Sequence, residues 1–128
     1  GNSEAPEARV RLRRGEVILE ASAEGSGPID AIFRAIDKVT GAFHKLEDFQ
    51  VKAVTETKEA IGEATVRVSR EGQRALGRGS STDILKASAK AYVEAVNRIH
   101  YLFEHHRQAC VPDNGSAVPG ISTAHNTA

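Results

Sequence analysis

Hydrophobic and polar positions alternate with a period of two along the first part of the chain. Val10 and Leu12 alternate with Arg9, Arg11 and Arg13, and Val17, Leu19, Ala21 and Ala23 alternate with Ile18, Glu20, Ser22 and Glu24. Because successive side chains of a strand point to opposite faces, this pattern predicts a hairpin turned at Arg14-Gly15. Beyond Gly25-Ser26-Gly27-Pro28 the period lengthens, and Ile29, Ile32, Phe33, Ile36 and Val39 fall on one face of a helix that stops at Gly41. Pro28 suits the first helical position, whose missing amide has no intrahelical partner in any case. Asp30 suits the first turn, where the helix dipole favours an anion.

The pattern then restarts. Phe49, Val51, Ala53 and Thr55 predict one strand, Ala64, Val66 and Val68 a second, and the Glu71-Gly72 turn leads to a third around Ala75-Leu76. Gly77-Arg78-Gly79-Ser80-Ser81-Thr82-Asp83 reads as the approach to a long helix, with Ser81 or Thr82 as N-cap. Its stripe is Leu85, Ala89, Tyr92, Val96, Ile99 and Phe103, widened by Ala87, Ala91 and Ala95. The halves echo each other as strand, Gly-x-Gly, helix-opening Asp and amphipathic helix, which matches Gly25 with Gly77 and, after one inserted residue, Asp30 with Asp83. The expected fold is α+β: two strand-strand-(strand)-helix units in pseudo-twofold repeat, with helices covering antiparallel sheets. One domain is expected over 9–108, with unit one about 9–45 and unit two about 46–108. The polar segment 1–8 and the Pro, Gly, Ser and Thr-rich tail 109–128 are expected to be unordered.

With 128 residues and 13.7 kDa the chain is one domain, too short for a barrel enzyme of about 250 residues. A core drawn mainly from Val, Ile, Leu and Ala, with no Trp or Met, is thin enough that a second copy would help cover it. Seventeen basic and seventeen acidic side chains balance, which removes the charge footprint of a nucleic-acid or anionic-membrane binder. A lone Cys110 allows no intramolecular disulfide and no cysteine zinc pattern, and a reducing, cytoplasmic setting is expected. No stretch reaches the roughly 20 apolar residues of a membrane span, and no secretory leader is expected.

His100, His105 and His106 lack the i, i+4 spacing of a helical metal pair, so they read as a solvated helix end, and no metal or cofactor is expected. Cys110 has no base of defined geometry beside it, and a bystander thiol is expected. Arg9, Arg11, Arg13 and Arg14 read as the wet face of their strand, without the interleaved aromatics of a phosphate-backbone binder. A nucleophile with its base is absent as well, so an independent small enzyme is the weakest reading.

Three ordered blocks carry a family resemblance. Glu24-Gly25-Ser26-Gly27-Pro28-Ile29-Asp30-Ala31, then Leu46-Glu47-Asp48-Phe49, then Gly77 to Tyr92 continuing to Asn97-Arg98, closely resemble the C-terminal regulatory domain of 2-isopropylmalate synthases over roughly residues 9 to 102. Citramalate synthases carry a similar domain. The resemblance implies two strand-and-helix units, a homodimer, and an end-product amino acid as effector, leucine in the first family and isoleucine in the second. It also implies an upstream catalytic barrel in the same polypeptide, condensing acetyl-CoA with a 2-oxo acid, and no activity for this fragment alone. By the same resemblance, Gly25, Ile29 and Asp30 lie at the start of the first helix. Leu46, Phe49, Ala53 and Ala60 line the effector pocket from the next unit, and Ile84 closes it. Phe49 stands where many members of the family have Tyr, so a phenolic hydrogen bond is lost.

Physical chemistry sets what such a site must offer: amides or a cation for the carboxylate, carbonyls or a carboxylate for the ammonium, and a dry pocket for the aliphatic group. The amides following Gly25 are the candidates for the carboxylate, with Asp30 the candidate for the ammonium. Each residue also has a plainer reading. The glycines can serve a tight turn, Asp30 and Asp83 can serve their helix starts, and the apolar residues can be core. A structural dimerisation domain without a ligand therefore stands beside the sensing domain.

Overall fold

A computed structural model describes residues 5–55, 60–108 and 121–127. The hairpin is β1 (Glu7–Arg14) and β2 (Val17–Glu24), paired antiparallel with Leu12 opposite Leu19, and Gly15 turns it at φ 60°. Ala8, Val10 and Leu12 point to the buried face, while the intervening arginines face outward. α1 (Pro28–Thr40) follows and is closed by Gly41 at φ 73°, whose amide donates to the Asp37 carbonyl. Then come β3 (Lys45–Thr55), β4 (Ala60–Arg70), β5 (Gln73–Ser81), the long α2 (Ile84–Gln108) and β6 (Ile121–Thr127). Two three-stranded antiparallel sheets result, ordered β2-β1-β6 and β3-β4-β5. The α+β expectation holds, and every element read from periodicity is present.

Two segments differ from their expected disorder. Glu7 and Ala8 already belong to β1, and residues 121–127 form β6 along its second edge. The outer edge of β1 carries a row of backbone donors and acceptors, and an extended segment with β-branched Ile121, Thr123 and Thr127 pairs with them despite its loop-like composition. Residues 109–120, including Cys110, lie outside the described residues.

Each helix covers its own sheet, and the units meet where α1 touches α2 and where α2 touches β6. α1 buries Ala31, Ile32, Phe33, Ala35 and Ile36 against β1 and β2. Its larger side chains contribute about 1.5–3 kcal/mol each when fully buried. α2 approaches differently, with Ala87, Ala91 and Ala95 fully buried. A Cβ on Gly77 would collide with the Ala91 carbonyl and the Ala95 amide, and one on Gly79 with the Ala87 carbonyl. These glycines permit direct approach of helix backbone to strand backbone.

That contact corrects the repeat alignment. Gly77-x-Gly79 lies inside β5 and opens no helix. The first helical bond of α1 runs from the Ala31 amide to the Gly27 carbonyl, and that of α2 from the Ala87 amide to the Asp83 carbonyl. Gly27 and Asp83 are therefore the equivalent N-caps, and Asp30 sits three residues further in. Asp83 accepts from the Leu85 amide at 2.9 Å, so the cap is Asp83 rather than Ser81 or Thr82. Ser81 instead accepts from the Asp83 amide at 3.1 Å.

Candidate functional site

α2 lies over β4 and β5 and leaves β3 open. Register puts Leu46 opposite Val68, Phe49 opposite Val66, Val51 opposite Ala64 and Ala53 opposite Gly62. The β4 partners are buried under α2, so these β3 residues face the same side. Yet Leu46 is 44% and Val51 40% exposed. A β-strand with an uncovered apolar face results, and a bulge between Leu46 and Asp48 keeps Leu46 on that face despite odd spacing to Phe49.

Beside this face a cleft of about 740 Å³ opens between α1 and the start of β3. Phe33, Phe43 and Leu46 give it apolar walls, and Glu24, Asp30, Arg34 and Lys38 supply charge. Asp37, His44 and Tyr92 join three elements within the lining. The Asp37 carboxylate meets His44 Nδ1 at 2.8 Å and accepts from the Tyr92 hydroxyl at 2.8 Å. His44 lies on the α1–β3 connection and Tyr92 on α2, and both are almost fully buried. Phe33 stacks on Tyr92 at 4.2 Å between centroids and meets Phe49 edge-on at 5.8 Å. Burial, then the adjacent Asp37 carboxylate, pushes the Tyr92 phenol well above its ordinary pKa.

Asp30 organises the other end. Its Oδ2 accepts from the Ser26 amide at 2.8 Å and from Arg34 Nε at 2.9 Å. The Ser26 bond foremost, with Arg34 adding to it, holds the Asp30 carboxyl below its usual pKa. The Gly25 amide is taken by the Pro6 carbonyl at 3.0 Å, and a Cβ at Gly25 would collide with the Ala31 amide. The Gly25 and Ser26 amides are thus engaged within the chain, leaving neither as an open anion cradle.

Of the eight residues singled out from sequence, two line the cleft and six lie elsewhere. Asp30 and Leu46 line the cleft. Phe49 stands one layer behind, against Phe33, and Ile29 packs on the core. Ala53 and Ala60 lie further along the open face, with Ala60 opposite Thr55. Ile84 rests over Gly62, where a Cβ would strike its Cδ1. Gly25 braces the start of α1. Missed were Val51, on the same face, and the Asp37–His44–Tyr92 cluster. The hydroxyl of a Tyr in an apolar helix stripe requires a partner, and that was the available signal.

The remaining chemistry-bearing residues lie apart. His105 stacks on Tyr101 at 5.3 Å, and the His106 side chain is outside the described residues. Among the described residues no group of three His, Cys, Asp or Glu side chains is placed to hold a metal ion, and no helix is long and apolar enough to cross a membrane.

Helix-on-sheet units joined through their helices, with one sheet face open beside a mixed polar and apolar cleft, define a pairing module with room for a small ligand. The family model of the LeuA allosteric (dimerisation) domain matches residues 1–100, and the chain belongs to that family. It is 44% identical over 98 residues to a 2-isopropylmalate synthase of Ruminiclostridium cellulolyticum, covering 77% of this chain and 19% of that protein. Similar 2-isopropylmalate synthases come from Pelotomaculum thermopropionicum, 45% identical over 100 residues (77% of this chain, 20% of that protein), and Heliobacterium modesticaldum, 47% over 94 residues (73% and 18%). The chain spans about a fifth of the length of these relatives.

Proposed function

We propose that this domain pairs with a second copy and binds leucine, regulating a 2-isopropylmalate synthase whose catalytic barrel lies upstream in the same cytoplasmic polypeptide. The barrel would condense acetyl-CoA with 2-oxoisovalerate, and this domain would carry no catalysis and no cofactor of its own. One observation carries the reading: the open apolar face of β3 adjoins the cleft at Leu46, so a surface for pairing and a volume for a ligand share a wall. The family match supports pairing, and the names of the relatives favour leucine over isoleucine as effector.

A ligand at that shared wall shifts the arrangement of the pair only through different affinities for two arrangements, since equal affinity shifts nothing. A coupling of about 1–3 kcal/mol is typical of such devices. Sedimentation of the chain alone and with millimolar leucine, isoleucine or valine, beside calorimetry with the same three, tests the proposal. A dimer that takes up leucine in preference to the others is the expected result. A dimer with flat titrations leaves only the pairing function, the reading favoured by the engaged Gly25 and Ser26 amides. A monomer that binds nothing overturns both.

A further inference from the structure

Resting on the effector reading above, we infer that the segment entering β1 is a strap, fastened beside the cleft by one backbone hydrogen bond from the Gly25 amide to the Pro6 carbonyl, and that a bound effector holds this strap closed. The strap joins the domain to the chain that precedes it, so its fastening is the domain's output toward the proposed upstream barrel.

The hairpin register sets Glu7 opposite Glu24, which makes Pro6 and Gly25 the next rung. A hydrogen-bonded antiparallel pair normally exchanges two bonds. Here the Gly25 amide donates to the Pro6 carbonyl at 3.0 Å, and the return bond is impossible because proline has no N–H. The rung therefore hangs on a single bond at the end of a strand pair, where local opening costs least. On its other side Gly25 is wedged against the first turn of α1, and an added Cβ would meet the Ala31 amide nitrogen and the Asp30 carboxylate. The next amide along, that of Ser26, donates to Asp30 Oδ2 at 2.8 Å. Glu24 and Asp30 flank this contact, and both line the cleft. Pro6, Gly25 and the first turn of α1 thus touch in series, with a ligand-sized space against two members of the series. A ligand lodged there keeps Gly25 in place to donate, and linkage requires that the fastened strap favour the ligand by the same factor.

Calorimetry with leucine on four chains tests this: the full chain, one starting at Ala5, one starting at Glu7 with a free amine, and the last again with Glu7 acetylated. The acetyl group returns a carbonyl to the place of the Pro6 carbonyl. Thermal unfolding checks that each chain folds. The free-amine chain should bind leucine about 3- to 10-fold more weakly than the full chain, the worth of one hydrogen bond, while the other two match the full chain. Equal affinity of all four overturns the strap and leaves leucine sensing intact. An acetylated chain as weak as the free-amine one overturns it too, because the loss then belongs to something other than the carbonyl. Should the free-amine chain fail to fold, hydrogen exchange on the full chain decides: leucine should slow exchange of the Gly25 amide by a similar factor, and an unchanged rate overturns the strap. A full chain that binds no leucine overturns the strap and the effector reading together.

Discussion

The two helices are held to their sheets by different means. α1 is attached through bulky side chains, Ile32 and Ile36 in the core and Phe33 against Tyr92 and Phe49 of unit two, with the cleft at its flank. α2 is attached by Gly77 and Gly79 against Ala87, Ala91 and Ala95, with almost nothing between the two backbones. Side-chain attachment leaves a helix some freedom to resettle when rotamers change, whereas glycine attachment fixes its height by the main chain. Unit two is thus the more tightly joined of the two.

Substitutions in each unit can break or sharpen that contrast. Phe33→Ala removes the ring that stacks on Tyr92 and meets Phe49, and should cost about 3–5 kcal/mol in denaturant unfolding. A cost below 1 kcal/mol would mean that the joint between the units does not depend on that ring. Gly77→Ala adds a single methyl yet should cost about 1–3 kcal/mol, because its obstacle is backbone. The paired control is Gly27→Ala, where the space is open and φ is −157°, with a cost of roughly 1 kcal/mol or less. Equal losses at the two glycines would erase the distinction between the units.

Tyr92→Phe keeps the stacking and deletes the hydroxyl on Asp37, for an expected loss of about 1–3 kcal/mol at neutral pH. Its pH dependence has a definite sign. The folded pKa of Tyr92 is raised above its unfolded value near 10, so its contribution is complete below that pH and erodes as pH rises beyond it. Unfolding midpoints measured on either side of pH 10 should therefore fall less steeply for the Phe variant than for the wild type. At the small end, Gly27→Ser should stabilise α1 by a few tenths of a kcal/mol, giving it the side-chain cap that α2 already has in Asp83. Thermal unfolding would register no gain if α1 does not fray at that end.

Elements were legible in the sequence where periodicity was strong: both hairpin strands, both helices and the three strands of unit two follow the apolar spacing. The purpose of a glycine was not legible, because a Gly-x-Gly that opens a turn and one that lets a helix touch a strand are written alike. Only the register of β5 against α2 distinguishes Gly77 and Gly79 from Gly25 and Gly27. The β6 pairing was hidden because an edge strand borrows its stability from its neighbour rather than from its own composition. The Asp37–His44–Tyr92 cluster was hidden for a different reason. Asp37 and Tyr92 lie 55 residues apart, and only the meeting of the two helices brings them together. On the site, the resemblance picked out Asp30 and Leu46 at the cleft and a row along β3.

The glycine contact in β5 has a mechanical outcome. Where main chain rests on main chain, no pliable layer of side chains lies between to soak up a push. Any displacement of Tyr92 would then carry α2 and β5 along as one lever and reach the far end of the long helix.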